Sequence, residues 1–227
     1  MTSMIEYFGK WLRVIDIDSM YKALSSLDKS QIELLCPKYP DIFRAFKLCP
    51  YEDLKVVMIG QDPYPQKGVA TGILFGNRKE TTEEDLSPSL QIIKEAAIDY
   101  EIPHSGVIFD HTLESWAGQG ILMINSALTT KAGVTGLHSM IWRPFMSSLL
   151  KNLSEWNPGL IYVLFGEQAK TLRPYINKYT NIVLEEKHPA YYARVGKKMP
   201  STIFKVLKEL TRSKYGESIK FYTEYET

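Results

Sequence analysis

The chain has 227 residues, of which 44% are hydrophobic and 23% charged. That is apolar matter enough for a real core and excludes a disordered chain, while no run approaches the roughly 20 apolar residues of a membrane-spanning helix. Lys and Arg number 27 against 26 Asp and Glu, and this net charge of +1 argues against a protein that coats nucleic acid nonspecifically.

The total conceals an asymmetry. Residues 80–114 carry nine acids and one base, net −8, whereas residues 187–214 carry eight bases and one acid, net +7. Two solvated helix faces of opposite sign would account for both stretches, as would a localised surface for an anionic ligand near the C-terminus. Cys36 and Cys49 supply no disulfide framework. With the scattered His104, His111, His138 and His188 they also lack metal-ligand spacing. The expectation is a reducing, cytoplasmic setting with two structural thiols. The opening Met1-Thr2-Ser3-Met4-Ile5-Glu6 has no basic stretch followed by an apolar one, so no secretory signal is visible. Asn152-Leu153-Ser154 then reads as a chance match to a glycosylation acceptor.

In chain order, the first fifty residues read as helical and then irregular around Cys36-Pro37-Lys38-Tyr39-Pro40, a wrap around the rest. Four short apolar runs, 54–59, 120–124, 160–165 and 181–184, read as buried strands. Their continuous rather than alternating hydrophobicity is that of parallel strands covered on both faces. Helical patterns lie at 88–100, 111–118, 144–156, 167–178 and 201–212. The first of these opens with Ser87-Pro88, a cap followed by proline at the first helical position. Alternating strands and helices predict a three-layer α/β/α sandwich, a single domain over 1–227 with a central four-stranded, mostly parallel sheet. The tail from Tyr215 is polar and aromatic and is expected to be partly loose.

Open α/β sheets bind ligands beyond the carboxyl ends of their strands. The four runs end in Gly60-Gln61-Asp62-Pro63-Tyr64-Pro65, Asn125-Ser126, Gly166-Glu167-Gln168 and Glu185-Glu186-Lys187-His188-Pro189. An acid, an amide and a histidine are thus brought to one rim. Asp62 and Tyr64 each precede a proline, which holds both extended and makes a stiff mount for a carboxylate and a phenol pointing opposite ways. His188-Pro189 follows the same logic. Singly, each has a plainer explanation: a rigid turn capped by Asp62, a structural strand-end histidine, a capping Asn125, a core Phe75. Their convergence favours function. No G-x-G-x-x-G, Walker A loop or G-x-S-x-G elbow is present, which disfavours nucleotide cofactors and serine hydrolysis.

The motif Lys55-Val56-Val57-Met58-Ile59-Gly60-Gln61-Asp62-Pro63-Tyr64 resembles the first motif of the family 1 uracil-DNA glycosylases. Gly72-Ile73-Leu74-Phe75, Ser87-Pro88-Ser89-Leu90, the block from Leu113 to Asn125, Leu128-Thr129 and His188-Pro189-Ala190 resemble the family in the same order. The resemblance implies removal of uracil from single- or double-stranded DNA by hydrolysis of its N-glycosidic bond, in base-excision repair, without metal or cofactor. A stacked base must first be flipped out. By resemblance, Asp62 stays ionised, stabilises the sugar cation and orients water, while His188 donates a hydrogen bond to uracil O2. Asn125 pairs with the uracil edge, Tyr64 excludes the thymine methyl, Phe75 stacks on the base and Gln61 lines the pocket through its backbone. Ser89 and the loop of Pro189, Ala190, Tyr191, Tyr192 and Arg194 grip DNA.

Three departures stand out. Pro65 replaces a histidine usual in the family, which is expected to lower the rate or alter water positioning. His188-Pro189-Ala190-Tyr191-Tyr192-Ala193 replaces His-Pro-Ser-Pro-Leu-Ser, removing two phosphate-gripping hydroxyls. The leucine that wedges into the duplex aligns with Tyr192, so Tyr191 or Tyr192 is expected to replace it, with Arg194, Lys197 and Lys198 compensating for the hydroxyls. The alternative is a catalytically weakened scaffold of the same fold that binds DNA and recruits a replication or repair partner. A third reading is a related glycosylase of shifted base preference. A DNA-mimicking protein inhibitor is a further candidate partner, and a monomer is the default state.

Overall fold

The computed structural model describes residues 4–99 and 106–225. Four parallel strands, β1 (Val56–Gly60), β2 (Ile121–Asn125), β3 (Ile161–Phe165) and β4 (Ile182–Glu186), form one sheet in the order β2-β1-β3-β4. Every residue of β1, β2 and β3 is buried, so both faces of these strands are covered, as their unbroken apolar runs require. The edge strand β4 is only half-buried and ends in Glu185 and Glu186. This is the three-layer α/β/α architecture expected, each strand lying within two residues of its predicted span.

The main helices are α1 (Ile17–Ser25), α2 (Pro88–Ile98), α3 (Ser139–Trp156), α4 (Pro189–Val195) and α5 (Thr202–Tyr215). Helix α3 buries Trp142, Phe145, Met146, Leu149, Leu150 and Leu153 completely, a three-four spacing that places all six on one stripe. It packs against α1, while α2 packs against α4. The predicted start of α3 at Pro144 is corrected: the helix begins at Ser139 and carries the proline inside. The fully buried Trp142, whose indole N–H donates to Thr129 Oγ1 at 2.7 Å, holds the extra turn despite the bond the proline lacks.

Other boundaries also move. The helix expected at 111–118 is one turn, Glu114–Ala117, opened by Leu113 in a left-handed conformation (φ 59°). That at 167–178 is split into Gly166–Lys170 and a 3-10 turn at Arg173–Tyr175 around Pro174. Helix α2 ends at Ile98 with Asp99 left-handed beyond it, and the predicted last residue, Tyr100, lies outside the described residues, as does His104.

The expectation of a loose tail from Tyr215 fails for residues 215–225. Phe221 is 1% exposed, and its carbonyl accepts the indole N–H of the buried Trp116 at 3.0 Å. Its ring meets those of Trp116 and Phe204 edge-on at 4.9 Å. Thr223–Glu224 then pairs with Val107–Ile108. Ile219 and Phe221 of the tail are therefore part of the core. Replacing Phe221 with Ala is expected to cost about 3–5 kcal/mol in urea unfolding; a loose tail would leave the midpoint unchanged.

Candidate active site

Register creates the site. Gly60 and Asn125 are direct partners at the ends of β1 and β2, so the Asp62 loop and Asn125 leave the sheet side by side. The absence of a side chain at Gly60 is required, since a Cβ there would lie 2.3 Å from Leu74 Cδ1 and 3.0 Å from Asn125 Oδ1. Beyond these strand ends lies a cavity of about 490 Å³, lined among others by Asp62, Tyr64, Phe75, Ser89, Asn125 and His188. The structure thus brings five side chains expected to be catalytic or substrate-binding, and the expected DNA contact Ser89, to one hollow. Gln61 and Ala190 also line it.

The carboxylate is held from one side only. Asp62 Oδ2 accepts the Gly136 N–H at 2.7 Å and the Gln61 amide at 3.3 Å, while the buried Oδ1 has no hydrogen-bond partner among the described residues. Burial raises the affinity of Asp62 for its proton, and the two donors oppose that shift. Gln61 has a more structural part than expected: its carbonyl accepts Ser126 Oγ–H at 2.8 Å and Ala127 N–H at 3.1 Å, locking the β1 and β2 exits together. The stiff double-proline loop does send its two side chains apart. Tyr64 O–H donates to the Phe75 carbonyl at 3.0 Å, away from Gly136.

Phe75 itself is left-handed (φ 64°), an uncommon state for a bulky residue that marks a functional turn. Leu74 N–H bonds Met123 O at 3.1 Å, fastening this turn onto β2. The Phe75 ring is 6% exposed and lies edge-on to Phe165 and His188, with centroids 5.4 and 5.5 Å away. Asn125 is also buried, and its Oδ1 has no hydrogen-bond partner among the described residues. An aromatic ring and an amide with an unused acceptor suit a flat ring that carries its own donors and acceptors.

His188 caps α4. Its Nδ1 accepts the Ala190 N–H at 3.2 Å, which fixes that nitrogen as unprotonated and leaves the N–H on Nε2. Burial depresses the imidazole to about 4, so it is neutral at pH 7. The ring is therefore a hydrogen-bond donor without being a cation.

The expected DNA-contacting residues divide. Ser89 is 5% exposed in the first turn of α2, at the cavity wall; Ala190 and Arg194 are exposed, and Pro189 is buried. Tyr192 is 9% exposed, and its hydroxyl donates to Glu186 Oε1 at 2.8 Å, so its ring is held inward. Tyr191 is half-buried beneath Lys187, whose Nζ stands 4.4 Å from the ring centroid.

Sequence reasoning missed three contributors. Gly136 has no side chain to flag it, although Gly133 and Gly136 mark a turn. Asn77 is 1% exposed and exchanges two 2.8 Å bonds with Ser87, bracing the entry to α2. His138 Nδ1 lies 2.9 Å from Thr129 Oγ1, which also accepts from Trp142, tying the Gly136 loop to the core. Among the described residues no group of three His, Cys, Asp or Glu side chains could hold a metal ion, and no helix is long and apolar enough to cross a membrane.

Fold and site together define an α/β protein with a strand-end pocket that takes a planar polar ring beside a buried carboxylate. The family model described as uracil DNA glycosylase superfamily matches residues 46–211. The uracil-DNA glycosylase of Buchnera aphidicola subsp. Acyrthosiphon pisum (strain Tuc7) is 35% identical over 161 residues, covering 70% of each chain. The chain belongs to the uracil-DNA glycosylase superfamily. Its fold is similar to that of mimivirus uracil-DNA glycosylase, with a TM-score of 0.72 at 21% identity over 96% of this chain and 92% of that one. A variant of the mimivirus protein in complex with UGI aligns with a TM-score of 0.71 at 21% identity, over 97% of this chain and 95% of that one.

The state of His188 can be measured directly. Its ring signals are expected to titrate near pH 4 in a nuclear magnetic resonance experiment; a midpoint near the ordinary 6.5 would contradict the burial argument. The unfolded chain takes up this proton at the higher pH, so this residue's contribution makes stability fall as pH drops from about 6.5 to about 4. His188→Asn is expected to flatten that slope.

Proposed function

We propose that the chain is a family 1-type uracil-DNA glycosylase, acting as a monomeric single domain on single- or double-stranded DNA in the cytoplasm. The observation that carries the family 1 reading is the joint presence, in one cavity, of Asp62, Tyr64, Phe75, Asn125 and a neutral His188. The superfamily's reaction, hydrolysis of the N-glycosidic bond of uracil in DNA, suits this set. The bond between sugar C1′ and uracil N1 breaks, and its electron pair leaves with the base. Positive charge grows on the sugar, negative charge on uracil N1 and O2. Water adds at C1′ and loses a proton, giving free uracil and an abasic site.

Each residue meets one of these charges. The ionised Asp62 faces the sugar cation and orients the water, through the oxygen that Gly136 and Gln61 leave unused. His188 Nε2–H donates to O2 as charge accumulates there, and being neutral it needs no proton transfer. Fixed donors and dipoles of this kind need no reorganisation during reaction and are usually the largest catalytic contribution.

Base choice follows from the same atoms. Asn125 Oδ1 accepts the uracil N3–H while its amide donates to O4; cytosine presents the reverse pattern and is refused. Tyr64, anchored on the Phe75 carbonyl, occupies the space of a C5 methyl and refuses thymine. Phe75 stacks on the flipped base. Ser89 and the loop after His188 take phosphates, and Arg194 with Lys197 and Lys198 supplies charge. Because Tyr192 is held inward, Tyr191 is the residue proposed to stack on the bases left behind. A DNA-mimicking protein inhibitor is proposed to cover this same rim, a reading supported by the mimivirus neighbour in complex with UGI.

One assay tests the reading. A uracil-containing oligonucleotide incubated with the protein in EDTA is expected to break on alkali treatment, and Asp62→Asn is expected to slow this by about 10²–10³-fold. Binding without breaks would overturn the activity. In the same assay Tyr191→Ala is expected to weaken action on duplex by about 1–3 kcal/mol and on single strands less; equal rates for parent and variant on both would remove Tyr191 from the DNA contact.

A further inference from the structure

Glu186 closes β4, where it is paired in register with Phe165. Its Oε1 accepts two hydrogen bonds, from Lys187 N–H at 2.7 Å and from Tyr192 O–H at 2.8 Å. These donors stand on either side of His188 in the chain, one residue before it and four after. Between them, His188 bonds forward into the first turn of α4: its carbonyl accepts Tyr191 N–H at 2.8 Å and its Nδ1 accepts Ala190 N–H at 3.2 Å.

Beneath the Cβ of His188 the backbone of Gly166 forms a floor. Gly166 is left-handed (φ 83°), and a Cβ on it would fall 2.8 Å from His188 Cβ. The His188 backbone and Cβ therefore cannot shift toward Gly166. Movement of the 187–192 segment away from the sheet is opposed by the packing of α4 against α2 and by the two hydrogen bonds to Glu186. A carboxylate accepting from an amide and a phenol forms charge-assisted bonds, roughly twice as strong as neutral ones.

We propose that Glu186 is a positioning residue, whose carboxylate ties the end of β4 to Tyr192 in α4 and so keeps the Nε2–H of His188 aimed into the cavity. The inference rests on the reading of that cavity as the uracil-excising site. It also assigns a task to Tyr192 other than insertion into DNA: this tyrosine is the far post of the clamp, and Tyr191 is the ring left to meet bases. The choice of glutamate is notable chemically, because a negative side chain near a developing anion is unfavourable. Spending it on two donors from residues that do not line the cavity accounts for its presence.

A purely structural role would change folding stability and leave the split between kcat and KM untouched. The test therefore compares Glu186→Ala, Glu186→Gln and Tyr192→Phe in the full chain. The substrate is uracil-containing single-stranded DNA, and the His188 ring nitrogens are followed by nuclear magnetic resonance without substrate. Glutamine keeps an acceptor oxygen for both donors. Glu186→Ala is expected to lower kcat about tenfold with KM within about twofold, as a small misplacement of a reacting group does. Glu186→Gln is expected to recover most of that loss, and the double variant Glu186→Ala/Tyr192→Phe to be no slower than Glu186→Ala alone. The Nδ1 and Nε2 signals of His188, well separated in the parent, are expected to converge in Glu186→Ala as the tautomers mix. If Glu186→Ala does not fold, Tyr192→Phe removes one arm of the clamp without touching the acid, and a smaller loss of kcat is expected. A Glu186→Ala chain with kcat within twofold of the parent, unchanged ring signals, or an equal loss in Glu186→Gln overturns the proposal. A parent chain that excises no uracil refutes the activity instead, and the ring signals still decide the clamp.

Discussion

The hydrogen bond from the Ala190 amide to His188 Nδ1 fixes which chemistry the pocket can perform. An imidazole whose Nδ1 accepts from a backbone N–H must carry its single proton on Nε2, and in a desolvated site it cannot easily take a second. The other electrostatic half is Asp62, bonded through one oxygen and not through the other. Together they place a donor at one end of the scissile arrangement and an anion at the other, with little solvent to screen either. Glycosidic cleavage separates charge in the sense that the proposed pairing of Asp62 and His188 would favour.

The scaffold supplies this with economy. Four of the five groups proposed to meet the base or sugar lie within a few residues of a parallel strand's carboxyl end, and the fifth, Phe75, is hung on β2 by the Leu74 amide. The register pair Gly60 and Asn125, the left-handed Phe75 and the Gly166 floor are backbone facts rather than side-chain chemistry. The ends of β1 and β2, buried on both faces, move little, so the Asp62 and Asn125 mounts hold their geometry. The neighbouring rim proposed to meet DNA is assembled from helix starts and exposed basic residues, where adaptability matters more. Near-neutral total charge fits such a division: the basic stretch beginning at Lys187 is local, and the acidic stretch at 80–114 cancels it in the sum.

Much of this was legible in the sequence because its causes are local. Continuous apolar runs reported parallel strands, and prolines after Asp62, Tyr64 and His188 reported extended, stiff mounts. What escaped depended on long-range partners. Nothing near Phe221 says that Trp116 will receive its carbonyl, and nothing near Gly136 says that its amide will meet Asp62, 74 residues away. Pro144 misled because proline usually opens helices, whereas the buried Trp142 pays for a turn ahead of it. Tyr192 and Tyr191 were indistinguishable in sequence; only the reach of Glu186 separates them.

The central claim is that a neutral His188 and an ionised Asp62 share the work. The most direct measurement is the pH dependence of the single-turnover excision rate between about pH 3 and pH 9, a span that covers both ordinary values. The account predicts a rate that rises as Asp62 ionises, with that limb above the ordinary carboxylate value, and then stays level through pH 8. A rate that falls tenfold per unit above about pH 6.5 would contradict it, because only a protonated histidine acting as an acid gives that limb.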